Sequence, residues 1–160
     1  MFDLTGKVAI VTGCNKGLGQ GMAVGLAKAG ADIMGVGPSD AQETEQLVTA
    51  LGRKFHYVEA DLMKQDKLTE IVDEAVKELG RVDILVNNAG IIRREDILDF
   101  SEQNWDDVID INQKTVFFLS QAVAKQFVKQ GEGGKIINIA QCFRSKAVFG
   151  CHLIQQVSRR

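Results

Sequence analysis

The sequence predicts an α/β fold, a parallel sheet with helices wound on both faces. Three observations carry this reading. Short β-branched runs alternate with segments whose apolar residues recur at helical spacing, from Lys7 to Ile139. The first run ends in a glycine-rich turn, Thr12-Gly13-Cys14-Asn15-Lys16-Gly17-Leu18-Gly19, that opens into a helical pattern. No repeat, low-complexity tract or linker divides the chain before residue 140.

The elements follow in order. Lys7 to Thr12 reads as a buried parallel strand closed by Gly13. Met22, Val24, Leu26 and Ala27 pattern a helix that Gly30 stops. Asp32 to Val36 is a weaker strand, closed by Pro38. A helix is expected over 41–51, a third strand over 55–60 with Tyr57 buried in it, and a helix over 67–79. Asp83 to Val86 is the fourth strand, Trp105 to Val128 one long helix with Phe117 on its core face, and Lys135 to Ile139 the fifth strand. The expected strand order is 3-2-1-4-5.

Composition narrows the function classes. The chain has 160 residues, and 19 Lys+Arg against 21 Asp+Glu give a net charge of −2. Apolar residues make up 45 % and charged residues 25 %, which is globular usage and argues against a disordered chain. Near-neutral charge without a basic cluster removes the footprint of a nucleic-acid binder. No apolar run approaches the roughly 18 residues of a membrane span. Asp3 and Lys7 interrupt any signal-peptide core, and three cysteines without framework spacing suit a reduced cytosol. The expectation is a soluble cytoplasmic protein with no metal site.

The glycine loop supplies the chemistry. Between a strand and a helix, Gly13 permits a tight turn, Gly17 lets backbone approach a pyrophosphate, and Gly19 packs helix against strand. Three further segments accompany it: Asn87-Asn88-Ala89-Gly90 after the fourth strand, Asn112 in Val108-Ile109-Asp110-Ile111-Asn112, and Gly134 to Ala140 at the fifth strand. In order and spacing, from Lys7 to Ala140, these resemble the short-chain dehydrogenase/reductase family. The resemblance implies a Rossmann-like dinucleotide-binding domain over 1–140. It implies cofactor contacts from Gly13, Asn15, Lys16, Gly17, Leu18, Gly19, Asp61, Leu62, Asn88, Ala89 and Gly90, with Asp61 on the adenine.

Details of the glycine loop and of Ile92-Arg93-Arg94-Glu95-Asp96 point within the family to enzymes of sugar acids. The implied reaction interconverts a hydroxyl and a ketone on a keto-deoxy sugar acid such as 2-deoxygluconate, in an enzyme expected to be a homo-tetramer. Arg93 and Arg94 lie where open α/β sheets place ligands and could hold the substrate carboxylate. The plainer alternative is a solvated pair bonded to Glu95 and Asp96. Cofactor choice is NAD, with NADP open. The resemblance puts Gly37, not an acid, at the ribose hydroxyls, Asp40 lies slightly further along, and Lys16 suits a 2′-phosphate or simply sits solvated on the rim. Two rival functions stay in view: an NADP-dependent 3-oxoacyl-carrier-protein reductase-like enzyme, and a non-catalytic nucleotide-binding remnant.

The family's reaction needs a Tyr general acid/base, a Lys four residues later, a Ser and an Asn. Only Asn112 is present. Gln141 stands where the Ser is implied, Tyr57 is the sole tyrosine, and no Tyr-x-x-x-Lys occurs. A phenol with a pKa of about 10 needs such a neighbour to work at neutral pH. The tail admits an explanation from the genetic code. One nucleotide lost after the Ala140 codon would leave residues 141–160 frameshifted. One back-translation, read in the other frame, gives Pro-Ser-Tyr-Thr-Ala-Ser-Lys, its Tyr over Ile154 and its Lys over Ser158. The chain as written is then expected to be a truncated, inactive form with an exposed apolar sheet face.

Overall fold

The structure, a computed structural model, describes residues 2–96 and 98–140. The frameshift expected over 141–160, with Gln141, lies outside the described residues.

Strands β1 (Val8–Thr12), β2 (Asp32–Gly37), β3 (Phe55–Glu59), β4 (Ile84–Asn87) and β5 (Lys135–Asn138) form one sheet in the order β3-β2-β1-β4-β5. Every pairing is parallel, and the order is the expected one. The chain grows outward from β1 to β3, then crosses back to place β4 on the other side of β1. The carboxyl ends of β1 and β4 therefore flank the point where the winding reverses, where such sheets open a crevice.

Alternation along the strands divides two cores. Ile10, Met34, Val36 and Leu85 pack with α3 (Leu68–Leu79) and α5 (Val116–Lys129). Ala9, Val11, Ile33, Ile84 and Val86 face the other way, against Ala23 and Ala27 of α1 (Gly17–Lys28) and Val48 of α2 (Gln42–Thr49). Burial on both faces is what makes these strands read as near-continuous apolar runs. β5 differs: all four of its residues are exposed, Ile137 at 43 %, along the sheet edge.

Two expectations are corrected. The long helix 105–128 is instead α4 (Glu102–Ile109), a π-helical segment (Asp110–Thr115) and α5. The wider turn breaks the 3.6-residue phase, so the helical face is rotated beyond it. Phe117 consequently lies outside the core, 61 % exposed, and touches Phe118 edge to face at 5.2 Å between ring centroids. Tyr57 is half-buried rather than buried, because its ring reaches the end of the sheet.

Candidate functional site

The crevice is built from the ends of β1 and β4 and the start of α1. Thr12, the last residue of β1, closes it with one hydroxyl: the backbone N–H groups of Asn88 and Ala89 donate to Oγ1, each at 3.0 Å, and Oγ1 donates to the Val86 carbonyl at 3.3 Å. The Asn88 carboxamide donates back to the carbonyls of Thr12 and Gly13 at 3.0 and 3.2 Å. Gly13 turns with φ +65°, which an L side chain rarely adopts. At Gly19 a Cβ would stand 2.0 Å from the Gly13 carbonyl oxygen, so the helix can rest against this turn only with glycine there.

The helix start so fixed is open. Lys16 precedes α1 in extended conformation, no side chain caps the helix, and its first turn holds no acid. By contrast, Ser101 caps α4, accepting from the Asn104 N–H at 3.3 Å. The first N–H groups of a helix have no intrahelical acceptor, and the helix dipole adds positive potential there. Gly17 has φ +60°, and a Cβ there would meet nothing within 4 Å, so the space before it is clear. Leu18 is exposed at 77 % beside it. This arrangement fits a pyrophosphate.

The remaining expected residues are distributed around this centre. Asn15 donates from Nδ2 to Ser39 Oγ at 2.7 Å, joining the glycine loop to the segment after β2. Asp61 follows β3 and accepts from the Met63 N–H at 3.1 Å. Leu62 buries its side chain in the core, and its carbonyl accepts from the Thr115 hydroxyl of the π segment. Asn112, also on that segment, pairs both ends of its amide with Ile91: Oδ1 accepts from the backbone N–H and Nδ2 donates to the carbonyl, each at 2.9 Å. A Cβ at Gly90 would lie 2.9 Å from Asn112 Oδ1, so glycine lets the post-β4 loop lie against this clamp.

Arg93 and Arg94 part company. The Arg93 guanidinium donates to Asp107 Oδ2 at 2.9 and 3.3 Å, and Asp107 is held below the usual carboxylate range by Gln103 first and Arg93 second. The expected local pairing with Glu95 and Asp96 does not form. Glu95 instead accepts from the Ser101 N–H and Asp96 from the Leu98 N–H. Arg94 is exposed and makes no ion pair among the described residues.

A sequence profile described as short chain dehydrogenase matches residues 7–149. The chain belongs to this family. A 2-dehydro-3-deoxy-D-gluconate 5-dehydrogenase of Escherichia coli (strain K12) is 62 % identical over 139 residues, 87 % of this chain and 55 % of that protein. The chain spans about half the length of the curated relatives it matches. A solved structure from Agrobacterium tumefaciens, described as a 2-deoxy-D-gluconate 3-dehydrogenase with bound NADP, is 43 % identical with a TM-score of 0.75, covering 88 % of this chain and 56 % of that one. A short chain dehydrogenase of Mycobacterium paratuberculosis bound to NAD is 34 % identical with a TM-score of 0.80, over 87 % and 57 %.

Several residues of this site stand in the motifs quoted from the sequence with no role read for them, or were not singled out at all. Thr12 is one, since a threonine ending a strand carries no signal of its own. Asn87 is another: it is buried, donating to Ser120 Oγ at 3.1 Å and Asn138 Oδ1 at 2.8 Å, and so ties β4 to β5 and α5. Asp107 as the partner of Arg93 and Ser39 as that of Asn15 are the others. No helix among the described residues is long and apolar enough to cross a membrane.

Proposed function

We propose that this chain is the dinucleotide-binding portion of an NAD- or NADP-dependent dehydrogenase that interconverts a hydroxyl and a ketone on a keto-deoxy sugar acid. The observation that carries the reading is the uncapped start of α1, fixed at the reversal point of the sheet by Gly13, Gly19, Thr12 and Asn88. The sugar-acid dehydrogenases among its relatives support the substrate class.

The nicotinamide supplies the hydride acceptor or donor when bound. This chain's part is to hold it. The α1 N–H groups take the pyrophosphate, Asp61 and the Leu62 N–H border the adenine end, and Asn88, Ala89 and Gly90 line the crevice. Arg94, unpaired among the described residues, is the better placed of the two arginines for a substrate carboxylate, because Arg93 must first break from Asp107. Asn112 positions the loop through Ile91. An amide has no protonation change near neutral pH, so Asn112 cannot act as the acid/base.

In this reading the chain as written binds a dinucleotide but does not turn substrate over, and residues 141–160 are a frameshifted tail. Assaying the 160-residue chain beside a version with one nucleotide restored after codon 140, on 2-deoxygluconate with NAD, tests this. Turnover in the repaired form alone is the expected result. General acid–base catalysis of roughly 10²–10⁴-fold depends on the Tyr and Lys that the repair returns. Comparable rates in both forms contradict it. An NADP-dependent reductase is the second reading, favoured by exposed Lys16 at the α1 cap.

A further inference from the structure

We propose that the oxygens of Tyr57 and Asn15, standing over Gly37, select NAD over NADP by accepting hydrogen bonds from the adenosine ribose hydroxyls, in place of a carboxylate on β2. The inference rests on the dinucleotide reading above.

Gly37 is the last residue of β2. A Cβ there would lie 2.8 Å from Tyr57 Oη and 3.6 Å from Asn15 Oδ1. The two oxygens thus occupy the ground into which a side chain at position 37 would grow. The arrangement is built rather than incidental. The Tyr57 ring stacks on Phe55, with centroids 6.3 Å apart and planes 10° from parallel. It also covers Gly35, where a Cβ would stand 2.9 Å from Tyr57 Cδ2. Glycine at 35 and 37 is what lets a ring from β3 lie across the end of β2.

Ser39 then fixes what both groups offer. The phenol donates its only proton to the Ser39 carbonyl, so toward a ligand Oη presents lone pairs alone. The Asn15 amide donates to the Ser39 hydroxyl at 2.7 Å, which leaves Oδ1 as the atom facing Gly37. Two acceptors held by one residue suit ribose hydroxyls, which have protons to give. A 2′-phosphate ester at neutral pH brings negative charge and oxygens that only accept. Burial first, and Cys14 after it, push the Tyr57 phenol up to about 12 against the Ser39 bond; of the groups around it, the Glu59 and Asp40 carboxylates carry the charge that also opposes a phosphate.

The test measures dissociation constants for NAD and NADP by calorimetry on the 160-residue chain, on Tyr57→Phe, and on Tyr57→Phe combined with Gly37→Asp. The unaltered chain should bind NAD at least tenfold more tightly than NADP. Tyr57→Phe should cut that ratio about fivefold through lost NAD affinity, the size of one neutral hydrogen bond. Adding Gly37→Asp, where Oη no longer blocks a side chain, should restore it. NADP bound as tightly as NAD by the unaltered chain overturns the inference. So does Tyr57→Phe weakening both nucleotides equally, which is the mark of a merely structural ring. Should Tyr57→Phe fail to fold by circular dichroism, Asn15→Ala carries the same expectation and the same contradiction. Binding of neither nucleotide by the unaltered chain overturns the dinucleotide reading itself.

Discussion

Gly19 is the most constrained residue of the crevice, because the space its missing Cβ would fill belongs to the Gly13 carbonyl at 2.0 Å and Asn88 Nδ2 at 2.6 Å. Gly19→Ala should therefore displace the α1 start from the turn and weaken NAD at least tenfold, read by calorimetry; unchanged affinity in a folded variant contradicts it. Asp83 does comparable work for stability at the opposite end of β4. Burial alone would raise its carboxyl, but donation from Arg81, the Val8 N–H and Lys7 outweighs this and holds it below the usual range. A carboxyl depressed in the folded state stabilises above its unfolded pKa, and that contribution fades as pH falls below about 4. Asp83→Asn should cost about 1–3 kcal/mol at pH 7, since it strips a buried, charge-assisted network. The gap between the two proteins in urea melts should narrow toward pH 3. A gap independent of pH would contradict the assignment.

At the scale of elements, the π-helical segment holds two loops of the site. Asn112 holds Ile91 after β4, Thr115 holds Leu62 after β3, and both sit within its six residues. Asn112→Ala leaves the Ile91 N–H and carbonyl without this partner. It should lower stability by about 1–2 kcal/mol and loosen the post-β4 loop, seen as faster proteolysis within residues 88–96. Equal proteolysis rates would show that the loop is held by something else.

The strands were legible because each is an apolar run bounded by a glycine or a turn. β2 read as a weaker strand because Gly35 interrupts its apolar run, and that glycine makes room for the Phe55 and Tyr57 rings. The π segment was not legible, since the apolar residues on either side of it still pass for one face of a single helix when a regular turn is assumed throughout. Nor were the pairs Arg93–Asp107 and Tyr57–Ser39. They lie 14 and 18 residues apart, and only the loops bring them together. The glycine loop was readable because a tight turn with a helix resting on it demands glycines at a fixed local spacing.

For the whole molecule, the order β3-β2-β1-β4-β5 gathers the glycine loop, the Asn88 turn and the π segment at one end of the sheet. A second concavity lies elsewhere, between α3 and α5, with Leu68, Val72, Phe118 and Lys125 among its lining. The central claim is that the dinucleotide occupies the end of the sheet and not this outer groove. Amide hydrogen exchange on the 160-residue chain, with and without saturating NAD, tests that most directly. The account predicts slowed exchange within 13–20, 37–40 and 88–91, and no change at 68–73 or 118–129. Protection confined to the α3–α5 groove, or no protection at the glycine loop, would contradict it.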